Sequence, residues 1–392
     1  MSKYTIKQIF IDHWNDFVQT YPKLNIRPIV FEEVEKMLNC GNPKLGYATY
    51  YCEHCDKVLH VPFRCKSRFC NTCGVNYAMD RAFAISKKII RCKHRHMVFT
   101  IPKQLRVYFL EDRTLLNGLF HATSSTILSW FHERNKSQKY TPGFMCTLHT
   151  FGRDLKWNPH IHVLCSEGGA GNTDVFRKFN YISFSALRFR MQKLLLDYLS
   201  NHLPDSKLPK FKKLKNFLYS NYENGFYVYA KPDNISSIKL AVDYVVRYTG
   251  RPAMANSRII NYDGEFVTFY YERHEDDKRA LETVHVFDFI KKLIIHIPGK
   301  GFKMVRYYGM YAKTHKFSKL IFKMLTDIQI QIRQTLRKWR LSIELSFGYD
   351  PLRCSCGNFM EFWDIFIPAK SSIATTGPPV VYCRWRSDYE EK

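Results

Sequence analysis

The chain has 392 residues, of which 60 are Lys or Arg and 35 are Asp or Glu, so its formal net charge is +25. Its 45% hydrophobic content and its lack of long low-complexity tracts exclude a disordered protein and predict two or three globular domains, while the absence of a membrane-length apolar run and of a signal-peptide core predicts a cytosolic protein. The excess of positive charge predicts a polyanionic partner, with nucleic acid as the first candidate and a generally basic, ribosome-like surface as the alternative.

Helical and cysteine-rich sequence makes up the first fifth of the chain. Residues 1–40 are predicted to be helical, a cysteine module extends to about residue 75, and YAMDRAFAISKKIIRC is predicted to continue as a basic helix. From residue 94 the pattern changes to alternating strands and helices. The predicted elements of this part are strands at 96–101, 143–152, 159–166 and 226–232 and helices at 112–133, 183–203 and 235–249. Beyond residue 257 we expect two strands and then basic helical sequence over 315–345.

This order of elements predicts an α+β protein with three parts. Residues 1–80 would form a helical and cysteine-rich domain, residues 81–275 an antiparallel sheet with flanking helices, and residues 276–392 a mostly helical, basic region. The short segment RDLKWN between the strands at 143–152 and 159–166 predicts that these two strands form a hairpin.

Clustered cysteines predict a structural metal site near the N-terminus. Cys52-x-x-Cys55 and Cys70-x-x-Cys73 are two pairs separated by 14 residues, the spacing with which a zinc ribbon folds four thiolates around one ion. Free buried thiols are the alternative. A four-thiolate shell leaves no open position for catalysis, so we expect this ribbon to be structural and to support a DNA-binding surface.

Other cysteines leave the ligand set open. Cys65 lies five residues before Cys70, and Cys40 lies further upstream, so both are further candidates for this zinc ion or for a second one. Near the C-terminus, Cys354 and Cys356 have a single residue between them, which suits a shared metal less well than two. We therefore expect these last two cysteines to be ordinary residues of a turn.

Two histidines lie one residue apart in the segment WNPHIHVLCSEGG at 157–169, which is otherwise typical of a buried strand. Residues two apart in a strand project to the same face, so His160 and His162 point together while Ile161 points to the other side. Two imidazole nitrogens on one face can bind one divalent ion. The alternative is a pair of structural, hydrogen-bonded histidines.

A third histidine precedes this pair in the predicted hairpin. If the strand at 145–151 pairs with the strand at 160–166, His149 falls opposite or diagonal to the pair and on the same face. Three imidazoles are then expected to converge. His94 and His96 repeat the spacing, but an arginine stands between them at the basic entrance of a strand, so no metal site is predicted there.

Two tyrosines lie four residues apart in the predicted helix at 235–249, so Tyr244 and Tyr248 stand one above the other. At about 100° per residue they lie roughly a quarter to a third of a turn from the apolar stripe of this helix, so they can face a cleft. Arg247 and Arg251 beside them supply cations suited to phosphate. Other tyrosine pairs of the chain share this spacing, so the spacing alone identifies no site.

The order of these features resembles that of the IS91-type transposases, including the IS801 and IS1294 branch. The segments that carry the resemblance are CKSRFCNTC, HMVFTIPKQLR, LHTFGRDLKWNPHIHVLCSEGG, YVVRYTGRP with NSRI, and IPGKGFKMVRYYG. These transposases belong to the HUH endonucleases, which are named for two histidines around a hydrophobic residue. The resemblance covers nearly the whole chain and implies a zinc ribbon, an HUH nuclease domain and a mostly helical C-terminal region.

The resemblance also implies an activity, namely nicking and rejoining of single-stranded DNA by a rolling-circle route. His160 and His162 match the histidine pair of the family, and Tyr244 and Tyr248 match its two nucleophiles. His149 as the third metal ligand is our own geometric inference. The histidines would hold Mg²⁺ or Mn²⁺, and each tyrosine would become esterified to a 5′ phosphate of DNA.

The expected partners are single-stranded DNA at transposon ends, target DNA and a host helicase, since the chain has no Gly-x-x-x-x-Gly-Lys-Ser/Thr loop for ATP. The expected location is the bacterial cytoplasm, at the nucleoid. A plasmid replication initiator or relaxase with the same chemistry is one alternative. A zinc-dependent DNA-binding regulator without catalysis is the other.

Overall fold

A computed structural model of the chain describes residues 3–74, 77, 89–173, 175–179, 182–230, 235, 248, 252–273, 276–313, 316–325 and 350–368. The helices of this part are α1 (Ile6–Thr20), α2 (Pro28–Leu38), α3 (Arg106–Glu111), α4 (Leu116–Glu133), α5 (Phe184–His202), α6 (Leu208–Asn221), α7 (Val286–Ile294) and α8 (Ser318–Lys323). The strands are β1 (Tyr47–Cys52), β2 (Lys57–Pro62), β3 (His94–Phe99), β4 (Thr141–Phe151), β5 (Trp157–Ala170), β6 (Phe176–Lys178), β7 (Val228–Ala230), β8 (Ile259–Tyr262), β9 (Phe266–Glu272), β10 (Arg279–His285), β11 (Val305–Gly309) and β12 (Glu361–Phe366).

The largest sheet is antiparallel, with the order β11-β4-β5-β3-β7 and with β6 paired to β5. β4 and β5 form the predicted hairpin. β5 is buried almost throughout, which explains its nearly continuous apolar sequence, because a strand in the middle of a covered sheet buries both faces. Ile161 and Val163 pack on one face against α4 and α5, as the two-residue period predicts.

A second core joins the N-terminal helices to a distant part of the chain. α1 begins at an N-cap, Thr5, whose side chain accepts a hydrogen bond from the backbone N–H of Gln8. The apolar side of α1 packs with α2, α7 and the three-stranded sheet β10-β9-β8. Cys70 and Cys73 lie in the same core. The cysteine module is therefore anchored to helices and strands that lie more than 180 residues further along the chain.

A small ribbon of three strands has the order β12-β1-β2. β12 pairs antiparallel with β1, with Tyr47 opposite Phe366 and Tyr51 opposite Glu361. The sequence predicted neither this strand nor its pairing. Segment 350–366 therefore belongs to the same sheet as the first cysteine pair.

The mixed α+β class is confirmed. The helices predicted at 112–133 and 183–203 are found as α4 and α5, while the segment 282–298 divides into the end of β10, α7 and a following loop. Most of the helix predicted at 235–249, most of the basic helix predicted after residue 77 and most of 315–345 lie outside the described residues.

Pairing crosses both of the predicted domain boundaries, since β11 joins the large sheet and β12 joins the ribbon. The described part of 276–392 contains β10, α7, β11, α8 and β12. The division into 1–80, 81–275 and 276–392 stays a prediction. Within the described part of the chain, no helix combines the length and apolarity that crossing a membrane requires.

Candidate functional site

The hairpin of β4 and β5 brings three histidines to one face of the large sheet. His149 is directly opposite His160 in the ladder, and Thr147 is opposite His162. One ring nitrogen from each of the three histidines lies within 4.8 Å of the others. We call His149, His160 and His162 the histidine cluster. Its geometry follows from the register, because a slip of one residue between β4 and β5 would turn His149 and the His160–His162 pair to opposite faces.

Hydrogen bonds orient the rings of the cluster. His160 Nδ1 donates to the backbone carbonyl of Asn158 at 2.7 Å, so its Nε2 carries the lone pair. This Nε2 lies 3.1 Å from Nε2 of His162. His149 Nε2 donates to the backbone carbonyl of Tyr248 at 2.6 Å, which leaves the lone pair on Nδ1. Rings held in this way by backbone carbonyls are typical of histidines that bind metal.

Burial keeps two rings of the cluster neutral. Burial, and after it the nearby His160, lowers the pKa of His149 to about 3. Burial, followed by the charges of His149 and His160, also lowers the pKa of His162 well below its ordinary value. Neutral imidazole is the form that binds a metal ion. At neutral pH His149 and His162 therefore offer lone pairs instead of protons.

Two buried oxygen atoms on the same face have no hydrogen-bond partner within the described structure. They are Oγ1 of Thr147 and Oδ1 of Asn158, which lie on either side of the histidines along β4 and β5. Buried polar atoms without partners cost free energy unless a ligand or water satisfies them. Three imidazoles with these oxygen atoms nearby fit a divalent cation.

His96 on β3 was not predicted to belong to this site. Its Nε2 lies 3.0 Å from Nδ1 of His162, and the two rings stack with centroids 5.3 Å apart. His96 is 8% exposed. The pairing of β3 with β5 places His96 opposite Leu164, diagonal to His162. The repeated spacing of His94 and His96 was visible in the sequence, but the register that brings β3 beside β5 was not.

Tyr248 lies over the histidine cluster. Its ring stacks on that of His162 with a centroid distance of 4.3 Å, and its centroid lies 5.1 Å from that of His96. The predicted partner tyrosine, Tyr244, lies outside the described residues, as do Arg247 and Arg251. Of the four residues expected on this helix, the structure thus describes only the one that touches the histidines.

The cysteines form two groups of four thiols. The proximal cluster is Cys40, Cys65, Cys70 and Cys73, and the distal cluster is Cys52, Cys55, Cys354 and Cys356. Within them the Sγ–Sγ distances include 3.5 Å for Cys40–Cys73 and for Cys65–Cys73, and 3.6 Å for Cys52–Cys356 and for Cys55–Cys354. Tetrahedral zinc with bonds of about 2.3 Å separates its sulfur ligands by about 3.8 Å, whereas a disulfide needs about 2.05 Å. Both clusters fit zinc.

This arrangement corrects the expected ribbon set of Cys52, Cys55, Cys70 and Cys73. The two pairs are not brought together, because β1 and β2 carry the first pair to the tip of a hairpin while the second pair packs into the core of α1 and α2. Cys40 and Cys65, the further candidates, complete the second pair instead.

Cys354 and Cys356 do lie in a turn, as expected, but their thiols face Cys52 and Cys55. Antiparallel pairing of β12 with β1 brings this turn to the hairpin tip. The backbone N–H of Cys356 contributes most to lowering the pKa of Cys354, to about 6. The thiolate is the form that binds metal.

Comparison with known proteins decides the family. A family model described as "Putative transposase" matches residues 143–318, and one described as "Transposase zinc-binding domain" matches residues 9–101. The chain is 30% identical over 299 residues to the "Transposase for insertion sequence element IS801" of Pseudomonas savastanoi pv. phaseolicola, covering 73% of this chain and 71% of that protein. The chain belongs to the IS91-type transposase family. It is also 27% identical over 304 residues to the "Putative transposase y4qJ" of Sinorhizobium fredii, covering 72% and 74% of the two chains. No solved structure gave a significant match.

As a transposase, the chain binds DNA and catalyses DNA cleavage and strand transfer, and the cysteines of its first hundred residues lie in a zinc-binding domain. The transposase match contains the histidine cluster and Tyr248. The zinc-binding match contains the proximal cluster and half of the distal cluster, and it also reaches His96. Cys354 and Cys356 lie beyond both matches.

Proposed function

We propose that this transposase nicks and rejoins single-stranded DNA at the ends of its element through 5′-phosphotyrosine intermediates, in rolling-circle-type transposition. The observation that carries the proposal is the contact between Tyr248 and the histidine cluster, in which a phenol ring stacks on His162 at 4.3 Å. A nucleophile and the groups that neutralise a phosphate must lie within reach of one phosphodiester. The contact of Tyr248 with the histidine cluster supports this arrangement.

His149, His160 and His162 would hold Mg²⁺ or Mn²⁺. Imidazole suits Mn²⁺ better, while Mg²⁺ is the more abundant ion in cells. The bound ion would neutralise non-bridging phosphate oxygens and polarise phosphorus for attack. His96 supports this role. It would accept a hydrogen bond from Nδ1–H of His162. The lone pair of His162 would then be on Nε2, which faces His160.

The chemistry of the tyrosine is a transesterification. The phenol oxygen of Tyr248 forms a bond to phosphorus, the bond from phosphorus to the 3′ oxygen breaks, and the phenol proton passes to the leaving 3′ hydroxyl. The new phosphotyrosine keeps the bond energy, so a 3′ hydroxyl can later attack it and rejoin a strand without ATP. Tyr244, expected one turn away, would receive a second strand while Tyr248 holds the first, and Arg247 and Arg251 would contact DNA phosphates.

The structural zinc belongs to two sites in this proposal. Each thiol cluster would hold one Zn²⁺, with the proximal ion fixing the cysteine module to α1 and α2 and the distal ion fixing the ribbon. Neither ion would have an open position, so both would be structural. The partners in the proposal are single-stranded transposon ends, target DNA and a host helicase, and the location is the bacterial cytoplasm at the nucleoid.

A labelled oligonucleotide carrying an element end tests the function. In the presence of Mn²⁺, a 3′-labelled strand should give labelled protein on a denaturing gel, whereas a 5′-labelled strand should give a shortened free product that ends in a 3′ hydroxyl. Tyr248→Phe and Tyr244→Phe should each change the yield, and the double variant should give no labelled protein. Tyr219→Phe, an exposed tyrosine of α6, is the matched control and should behave as wild type.

The same experiment separates the alternatives. A non-catalytic regulator would bind the oligonucleotide without forming labelled protein. Transfer of the bound strand to a second oligonucleotide is expected of a transposase, while a replication initiator or relaxase would religate only its own site. Labelled protein in the Tyr244→Phe/Tyr248→Phe double variant would refute the proposed nucleophiles.

A further inference from the structure

The segment IPGKGFKMVRYYG forms a loop that no step of the proposed chemistry uses. Residues 298–303 connect α7 to β11 and separate two cavities, of about 420 and 440 Å³. Gly301 has a φ of +71°, which favours glycine, and a Cβ added there would meet no atom within 4 Å. The backbone of the loop is therefore open toward its surroundings.

The first of these cavities is strongly basic. It lies between the loop and the start of α4, and we call it the loop cavity. Its charged lining residues are Arg113, Lys300, Lys303 and Arg306, and no Asp or Glu is among the described residues that line it. Thr114 and Asn117 add polar groups. Four cations without a carboxylate create a positive potential that favours an anion with several charges.

Arg113 is a cation held in place without a carboxylate partner. Its guanidinium lies 3.9 Å from the ring centroid of Trp157 and donates to the backbone carbonyl of Ile295 at 3.1 Å. Its Nε is buried without a hydrogen-bond partner in the described structure. Burial, and after it the neighbouring Arg27, lowers the pKa of Arg113 to about 9. An anion in the loop cavity would accept a hydrogen bond from Nε of Arg113. Its negative charge would also offset the repulsion between Arg113 and Arg27.

The other cations of the loop cavity are also without strong ion pairs. Arg306 donates to Asn117 Oδ1 at 2.6 Å and to the carbonyl of Lys303 at 3.2 Å, so neutral groups orient its guanidinium. Lys300 has one contact of 3.4 Å with Glu32, and 79% of the lysine side chain is exposed, so this pair contributes little. Among the described residues, Lys303 and Arg306 form no salt bridge.

The loop also connects this cavity to the side of the sheet that carries the histidines. The loop cavity is lined by Thr150, which follows His149 on β4 and projects to the opposite face. The second cavity shares residues 298–302 and is lined by Lys36, Lys66 and Arg68 as well as by Glu32 and Glu33. The charge of Arg68 acts on His149. Cations therefore lie on both sides of the loop, and only the loop cavity is without carboxylates among its described lining residues. A free phosphate ion would contact only the loop cavity, whereas a DNA strand is long enough to contact cations of both cavities.

We propose that the loop cavity binds a phosphodiester of the DNA strand, as a second DNA contact outside the histidine cluster. Lys300 and Lys303 would approach the phosphate from the loop, and Arg113 and Arg306 from the sheet side. The proposal rests on the DNA-strand substrate of the proposed function, but it does not depend on which residue is the nucleophile. It gives the glycine-rich loop a role in holding the strand that the tyrosine cuts.

The salt dependence of binding tests this site. The affinity of the full-length protein for a single-stranded oligonucleotide would be measured from low to moderate salt for wild type and for Lys300→Gln/Lys303→Gln. Both lysines are exposed, so folding should be preserved. Each lost phosphate contact should make the slope of log K against log salt shallower by about 0.7. Loss of the one proposed phosphate contact should therefore make the slope of the double variant shallower than that of wild type by about 0.7, and the variant should bind several-fold more weakly at low salt.

Lys136→Gln/Lys139→Gln is the matched control, because it removes the same charge from exposed lysines beyond the far end of α4, roughly 25 Å from its start by helix rise. The control slope should stay near that of wild type. Equal changes in both variants, or no change in either, would overturn the proposal. A variant that binds DNA normally but loses calorimetric binding of inorganic phosphate would assign the loop cavity to a free anion and also overturn it. Labelled-protein formation should be unchanged in the control Lys136→Gln/Lys139→Gln. Its absence in wild type would instead count against the proposed function.

Discussion

At the residue scale, His162 depends on a neighbour that holds its ring. His96 accepts or donates a hydrogen bond at Nδ1 of His162, and binding of a metal at Nε2 requires that Nδ1 carry the proton. Loss of such a supporting partner typically weakens metal binding by about 10–100-fold. We therefore predict that His96→Leu binds Mn²⁺ about 10–100-fold more weakly than wild type. Electron paramagnetic resonance of the free Mn²⁺ measures this affinity.

His96→Gln is the control for that prediction, because the amide oxygen of glutamine can still accept the proton of His162. It should recover most of the affinity that His96→Leu loses. Equal and wild-type-like Mn²⁺ binding in both variants would show that His96 only fills space beside His162.

A second residue-scale prediction concerns acid sensitivity at His296. Its Nδ1 accepts from Thr150 Oγ1 at 3.1 Å and its Nε2 donates to the carbonyl of Leu155 at 2.9 Å, so the buried ring is neutral. Burial lowers its pKa to about 4. The unfolded chain, with a pKa near 6.5, then binds the proton more readily than the native protein, and the free energy of unfolding falls as pH decreases from about 6.5 to 4.

Between pH 7 and pH 5 this one histidine should remove about 2 kcal/mol from the free energy of unfolding. Glutamine can make both hydrogen bonds without titrating, so His296→Gln should lose about 2 kcal/mol less than wild type over the same interval. Urea unfolding at the two pH values measures the difference. An identical loss in both proteins would mean that His296 does not titrate on unfolding.

At the element scale, the ribbon depends on a strand that arrives some 300 residues after its partner. β12 and the turn before it deliver two thiols to the tip of the β1–β2 hairpin. A three-stranded ribbon of this size has almost no apolar core, since the buried apolar residues of its described part are Cys52, Cys354 and Met360. We infer that metal binding stabilises it in place of apolar packing.

Zinc content tests that inference. The wild-type protein should contain two zinc ions per chain, and Cys356→Ser should contain one, because it breaks the distal cluster without touching the proximal one. Cys92→Ser, whose thiol belongs to neither cluster, should keep two. One zinc ion in the wild-type protein would contradict the assignment of the distal cluster. Metal analysis of the purified proteins gives the stoichiometry directly.

The β4–β5 hairpin shows which part of a site a sequence can predict. A short connection and the two-residue period were enough to expect His149 opposite or diagonal to the His160–His162 pair and on the same face, and the register places it opposite His160. His96 was not predicted, because β3 reaches β5 through a long-range pairing that periodicity does not reveal. The same limit applies to Cys354 and Cys356, whose partners are determined by the pairing of β12 with β1.

At the scale of the whole molecule, two strands from the last quarter of the chain pair with strands much earlier in the sequence. β11 extends the sheet that carries the histidines, and β12 completes the ribbon near the N-terminus. Composition and the order of elements predicted the α+β class and the zinc module. They did not predict these two strand pairings, which depend on contacts between distant segments. The core that α1 and α2 share with α7 and β8–β10 is a third example.

These connections unite the functional parts of the transposase. The glycine-rich loop lies between α7, which packs on the N-terminal helices, and β11, which borders β4. DNA held in the loop cavity would therefore touch an element connected both to the zinc module and to the histidine cluster. The net charge of +25 supplies the general attraction for DNA, while in the proposed function the histidine cluster and Tyr248 would supply the chemistry.

The most direct test of this account is to identify the residue to which DNA becomes attached. After reaction of the full-length protein with an element-end oligonucleotide and Mn²⁺, protease digestion and mass spectrometry would locate the nucleotide-bearing peptide. The account predicts a 5′-phosphate ester on Tyr248 or Tyr244, and no adduct in His160→Ala/His162→Ala. An adduct on any other residue, or an undiminished yield without the two histidines, would contradict it.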